Sequence, residues 1–264
     1  VTRQVRTVEV DGVRLRVATS GDGRPLLLVM GLGGHLDMWT PLEQRLHPFG
    51  IRTVSYDAAG TGESADYGLP RRVGGLARTA ERLLDSLGLD SVDVLGVSFG
   101  GGVAQQLAHQ APSRVRRLVL AATSSGALSV PGRPGALLAL ATPRRYLDPD
   151  HYRRISPRVF GGMSRRDPAA GAGARFAHPP SPRGYAYQLY AAAGWTSVFW
   201  LHRLRQPTLV LAGDDDPIVP VQNGRLLAAL IPDARLHVVR GGGHLFLLEQ
   251  ADEVAPVVAD FLSR

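Results

Sequence analysis

Apolar residues along this chain fall into short unbroken runs separated by longer amphipathic stretches. The opening differs: residues 4–10 and 13–18 alternate apolar and polar side chains around Asp11-Gly12. A period of two about an Asp-Gly turn predicts an antiparallel hairpin at a sheet edge. From residue 25 the pattern changes. Runs at 25–30, 51–56, 93–97, 118–122 and 207–212 are continuously apolar or nearly so. Such runs are expected of strands buried on both faces, and a further strand is expected at 234–239. Between them, helical spacing covers 40–46, 71–87, 103–110, 220–230 and 252–262. Strands alternating with helices predict a mostly parallel, doubly wound α/β sheet.

The rhythm breaks over residues 125–200, which hold no buried-strand run and are rich in Pro, Gly and Arg. Helix-like pieces lie at 135–141, 150–155 and 184–193. Ten of the chain's 17 Phe, Tyr and Trp residues also fall here. The segment reads as a helical cap inserted into the sheet domain, dividing the chain into core (1–124), cap (125–200) and core (201–264). Some of its rings hold the cap together, and the group as a whole is expected to line an apolar substrate channel. The candidate substrate contacts are Trp39, Tyr190, Trp195 and Trp200.

The run at 93–97 leads into Gly96-Val97-Ser98-Phe99-Gly100, followed by a helical stretch. In that strand–turn–helix context, Gly-x-Ser-x-Gly places a serine hydroxyl in the open at the carboxyl end of a strand. Taken alone, the pentapeptide also fits an ordinary turn. Two more reactive positions follow strand ends: the cluster Asp214-Asp215-Asp216 before Pro217, and His244 after three glycines. Ligands bind beyond the carboxyl ends of parallel strands. A serine needs a base to become nucleophilic, and a buried carboxylate fixes the tautomer of an imidazole base. Ser98, His244 and Asp216 are therefore the candidate nucleophile, base and acid. Asp216 is chosen because its place before Pro217 suits a turn that projects the carboxylate inward. Asp214 and Asp215 are expected to cap the turn or face water. Backbone N–H groups of Leu32, in Gly31-Leu32-Gly33-Gly34, and of Phe99 are the candidate oxyanion donors.

Composition narrows the alternatives. Cysteine is absent, which excludes disulfides, thiol catalysis and thiolate metal sites. No His or Glu with ligand spacing accompanies the aspartates, so neither metal nor cofactor is expected. The net charge is +7 with every basic residue Arg. The arginines occur as scattered pairs such as Arg71-Arg72 and Arg153-Arg154, so a solvated surface is expected rather than a nucleic-acid partner. No apolar run approaches the ~18 residues that span a bilayer.

With these residues placed, the chain resembles the α/β-hydrolase superfamily. More closely, it is similar to the depolymerases of medium-chain-length poly(3-hydroxyalkanoate). The likeness is densest in Val119-Leu120-Ala121-Ala122-Thr123, Val130-Pro131-Gly132, Pro143-Arg144-Arg145-Tyr146, Gly194-Trp195-Thr196-Ser197, 207–220 and Gly243-His244-Leu245-Phe246-Leu247. The resemblance implies Ser98, Asp216 and His244 as nucleophile, acid and base. It implies a polyester substrate, association with a hydrophobic polymer granule, and a cytoplasmic location, with export the alternative if a leader preceded Val1. Met30-Gly31 departs from the His-Gly of many α/β-hydrolases, and Phe99 stands where related depolymerases often have Trp. A lipase or general carboxylesterase is the nearest alternative. A non-catalytic receptor on the same fold is the alternative of another class, and the intact Ser–Asp–His set counts against it.

Overall fold

The structure is a computed structural model that describes residues 2–170 and 172–264. The chain opens with β1 (Arg3–Val10) and β2 (Val13–Ser20), an antiparallel hairpin in which Val10 faces Val13 across the Asp11-Gly12 turn. Next come β3 (Arg24–Val29), α1 (Thr40–Leu46), β4 (Ile51–Tyr56), α2 (Val73–Ser86), β5 (Val92–Val97), α3 (Phe99–Gln110) and β6 (Val115–Ala121). Four helices follow without a strand: α4 (Pro134–Ala139), α5 (Arg144–Leu147), α6 (Pro149–Val159) and α7 (Pro182–Ala192). The chain closes with β7 (Thr208–Gly213), α8 (Val221–Leu230), β8 (Ala234–Val239), α9 (Phe246–Glu249) and α10 (Ala251–Ser263).

All eight strands form one sheet in the order β1-β2-β4-β3-β5-β6-β7-β8. The hairpin joins it antiparallel through β2 and β4, and every later pairing is parallel. Burial on both faces explains why the central strands are mostly apolar. In β3, Leu27 and Val29 enter the core on the side of α2 and α3, while Leu26 and Leu28 enter the core beneath α1 and α10. Each such side chain contributes about 1.5–3 kcal/mol by leaving water.

The segment between β6 and β7 is closed at its base by an isolated antiparallel bridge between Gly126 and Thr196. That bridge lies near the boundaries expected at 125 and 200; positions 1 and 171 of the expected spans lie outside the described residues. The helices expected at 150–155 and 184–193 begin one and two residues earlier, where Asp148 and Ser181 cap α6 and α7 by accepting from His151 N–H and Gly184 N–H, both at 2.8 Å. The helix α5, only four residues long, carries no readable period.

Candidate active site

Ser98 stands between β5 and α3 with φ 54° and ψ −122°, a left-handed backbone that a side chain rarely adopts. Two close approaches make the turn. A Cβ on Gly96 would strike the Gly100 carbonyl, and a Cβ on Gly100 would strike the carbonyls of Val29 and Met30. The Ser98 hydroxyl is 2.9 Å from His244 Nε2. His244 follows β8, and its own N–H donates to the Phe160 carbonyl at the end of α6, 2.7 Å away. Its Nδ1 donates to Asp216 Oδ2 at 2.7 Å. Because a carboxylate only accepts, that contact puts the ring proton on Nδ1 and leaves Nε2 free to take a proton from Ser98. The other Asp216 oxygen accepts from Ile218 N–H and Val219 N–H at 2.8 and 2.9 Å, which locks the carboxylate after β7. Thus three residues from the carboxyl ends of β5, β7 and β8 meet in one relay. Asp216 and His244 are 6% and 8% exposed, so the relay is nearly dry.

The neighbouring aspartates behave differently. Asp214 is exposed. Asp215 is half-buried and has partners of its own. It accepts from Gly162 N–H at 2.8 Å and pairs with Arg165 at 2.6 and 2.8 Å, tying the segment between β6 and β7 to the sheet. That guanidinium holds the Asp215 carboxyl below the usual carboxylate range.

Leu32 and Phe99 flank Ser98. The Phe99 N–H opens α3, where no intrahelical acceptor exists, and the Leu32 N–H makes no backbone hydrogen bond among the described residues. The Leu32–Gly33 peptide is clamped at both ends. Its carbonyl accepts from Arg145 Nη2 at 3.0 Å and Tyr146 Oη at 2.8 Å, and its N–H donates to Gln188 Oε1 at 2.8 Å. Arg145, Tyr146 and Gln188 were not legible as site residues in the sequence. All three come from α5 and α7, so the segment between β6 and β7 fixes the orientation of the glycine-rich loop. Gln188→Leu, which strands the Gly33 N–H, is expected to lower kcat on a soluble ester about ten- to a hundredfold, with a smaller change in KM. Steady-state kinetics beside a melting curve checks this.

Two spaces open from Ser98. One is a small pocket of about 70 Å³ lined by Met30, Leu32, Trp39, Tyr146, Phe160 and Leu247, among others. The second is an open groove of about 380 Å³ bordered by Phe99, Val130, Leu137, Trp195 and Val219. Of the expected substrate contacts, the structure brings Trp39 to the pocket and Trp195 to the groove. Tyr190 and Trp200 line neither of these two spaces. Tyr190 lies on the outer face of α7, beneath the Arg72 guanidinium at 4.1 Å. Trp200 stacks on His109 at 4.2 Å and packs against the core. Most rings of the inserted segment are likewise packing residues, with Tyr152 and Tyr185 fully buried.

Behind the glycine-rich loop, Asp57 accepts from Leu36 N–H at 2.6 Å and from Glu63 N–H at 3.0 Å. Beside it, buried His35 donates from Nε2 to the Ala174 carbonyl at 2.9 Å. Burial pushes the His35 imidazole below its usual value. The native state therefore binds this proton less readily than the unfolded chain does. Its contribution to stability is present above the ordinary histidine range and is lost as pH falls through the lowered native value. Melting temperature is expected to decline on acidification in that window, and His35→Asn is expected to flatten the decline. Thermal melts across pH test both. Among the described residues, no group of three or more His, Cys, Asp or Glu is placed to hold a metal ion, and no helix is long and apolar enough to cross a membrane.

Comparison with known proteins adds kinship to this geometry. Residues 24–251 match a family model described as alpha/beta hydrolase fold. A poly(3-hydroxyalkanoate) depolymerase of Ectopseudomonas oleovorans is 46% identical, over 98% of this chain and 92% of the relative. The chain belongs to the α/β-hydrolase family. Solved α/β-hydrolase structures superpose along its length. An enol-lactonase from Burkholderia xenovorans matches with a TM-score of 0.85 at 26% identity, over 98% of this chain and all of that one. A thermophilic esterase from Thermogutta terrifontis matches with a TM-score of 0.82 at 25% identity, over 98% of each chain. In this α/β-hydrolase, Ser98, Asp216 and His244 meet at the carboxyl edge of the sheet, and residues of the segment between β6 and β7 border the pocket beside them.

Proposed function

We propose that this chain is a serine esterase that hydrolyses medium-chain-length poly(3-hydroxyalkanoate) through an acyl-enzyme. The observation that carries the proposal is the 46% identity, spread over nearly the whole chain, to a protein named as a depolymerase of that polyester class. The geometry supports it from the chemical side. Ser98 Oγ attacks the ester carbonyl while His244 Nε2 takes its proton, and Asp216 holds the imidazolium. The N–H groups of Leu32 and Phe99 receive the oxyanion. His244 then protonates the departing alkoxide, and water, activated by the same imidazole, releases the acid and restores Ser98. The segment 125–200 acts as a cap whose helices shape both spaces around the nucleophile. Its exposed Leu128, Val130, Leu137 and Leu138 give an apolar rim beside the open groove, and this rim supports association with a polymer granule inside the cell as part of the same proposal.

Clearing of an emulsified medium-chain polyester, with release of 3-hydroxyalkanoate, is the test. Activity confined to short soluble esters would replace this reading with that of a general carboxylesterase.

A further inference from the structure

Arg175 lies in a short turn, Gly173–Phe176, between α6 and α7, and is 2% exposed. Three rings wall its guanidinium, Tyr146 at 4.9 Å, Tyr152 at 5.1 Å and Phe160 at 5.2 Å, and the Tyr152 phenol oxygen also accepts from it. Its Nε is buried without an acceptor. Among the described residues no carboxylate reaches ion-pair distance. Glu249 acts on it from farther off, and one Glu249 oxygen is already taken by Ser164 Oγ at 2.8 Å. The contrast is Arg145, 3% exposed, whose guanidinium is met by the Thr142 carbonyl at 3.3 Å, the Leu32 carbonyl at 3.0 Å and the Tyr185 phenol. Aromatic faces recover only part of what a buried cation loses on leaving water. Arg175 is thus a cation short of a counter-ion, and it borders the same small pocket as Ser98 and His244.

We propose that Arg175 makes the smaller pocket a carboxylate subsite, which seats the acid end of the polyester chain's terminal unit. The inference rests on the polyester reading above and adds the direction of attack to it. A poly(3-hydroxyalkanoate) is neutral along its length, with a hydroxyl at one end and a carboxylate at the other, so its one anion is the terminal carboxylate. A pocket of about 70 Å³ has room for roughly five waters, which suits the carboxylate and the carbons next to it rather than a running chain. With that unit seated, the last ester bond lies at Ser98 and the rest of the polymer leaves along the open groove. Ser98 Oγ bonds to the ester carbonyl carbon, and its proton passes through His244 to the departing alkoxide as the C–O bond breaks. One 3-hydroxyacid leaves with its carboxylate. The shortened chain stays on Ser98 until water adds to the acyl carbon, which returns a proton to the serine and frees a new terminal carboxylate. The polymer is consumed from its acid end.

Two measurements test this. The first compares the linear dimer of 3-hydroxyoctanoate, as free acid and as methyl ester, in kcat/KM. The second compares 3-hydroxyoctanoate with its methyl ester as inhibitors of p-nitrophenyl octanoate hydrolysis, a reaction that needs no polyester activity. The acid form is expected to be favoured about 10- to 100-fold in both, the range of a charge-assisted contact. Arg175→Gln brings both ratios near one, and Arg175→Lys, which keeps the charge, restores part of them. Equal handling of acid and methyl ester by the unaltered protein would overturn the proposal. So would an Arg175→Gln variant in which both forms weaken alike, since that is what a purely structural arginine predicts. If the inhibition ratio depends on Arg175 but the dimer is not cleaved, the carboxylate subsite stands and the polyester reading falls.

Discussion

Ser98→Ala is expected to lower ester turnover by about 10⁶-fold, the scale seen when a serine nucleophile is removed from an intact relay. A residual rate above the uncatalysed one remains, because the Leu32 and Phe99 N–H groups and the binding surfaces are untouched. Loss of labelling by a fluorophosphonate, measured beside kcat on p-nitrophenyl octanoate, checks that the lost group is the nucleophile itself. Stability should move the other way in a companion variant. Ser98 holds a left-handed backbone at φ 54°, a conformation that costs a residue with a Cβ about 1–2 kcal/mol. Ser98→Gly removes that strain and loses catalysis equally, so it should melt higher than Ser98→Ala. A glycine variant no more stable than the alanine one would mean that the turn stores no strain. An alanine variant with appreciable turnover would mean that another group attacks the ester.

Which parts of this site the sequence discloses follows from how each residue meets its surroundings. The strands at 25–30, 118–122 and 207–212 are readable because helices cover both faces of the sheet, leaving almost no polar position to interrupt the runs. Ser98 is readable because its turn demands glycines on both sides, and His244 because a glycine run precedes it at a strand end. Aromatic content is a poorer guide, since it says how much surface a segment can bury and nothing about direction. On α7 the buried positions are Gly184, Tyr185, Gln188 and Ala191, and Tyr190 falls about 140° round the helix from Tyr185, away from that face. Helical spacing therefore held the information that Tyr190 faces outward. Arg145 and Arg175 defeat sequence reasoning for another reason. In a chain with 30 arginines, a solvated side chain is the natural reading of each, and only the fold decides which two are enclosed by rings and carbonyls. Asp215 is similar: its partner Arg165 lies in the inserted segment, and no local pattern links the two.

Asp216→Asn should be the second most damaging change, lowering kcat about 10⁴-fold with the fold intact. The reason lies in the turn after β7. In the native site, one carboxylate oxygen accepts from Ile218 N–H and Val219 N–H, and the other accepts from His244 Nδ1. An asparagine must keep its carbonyl oxygen toward the two backbone N–H groups, because an amide NH2 there would face two donors. The NH2 then points at His244 and donates to Nδ1, which forces the ring proton onto Nε2. In that tautomer the imidazole donates toward Ser98 Oγ and has no lone pair with which to take its proton. Asp215→Asn is the matched comparison. It weakens the pairing with Arg165 and Gly162 while leaving the His244 tautomer alone, so its kcat should fall less than about tenfold. Measuring kcat and fluorophosphonate labelling rates for both variants separates the roles. Equal damage at the two positions would mean that His244 owes its orientation to the inserted segment as much as to Asp216, since the Phe160 carbonyl also holds its backbone.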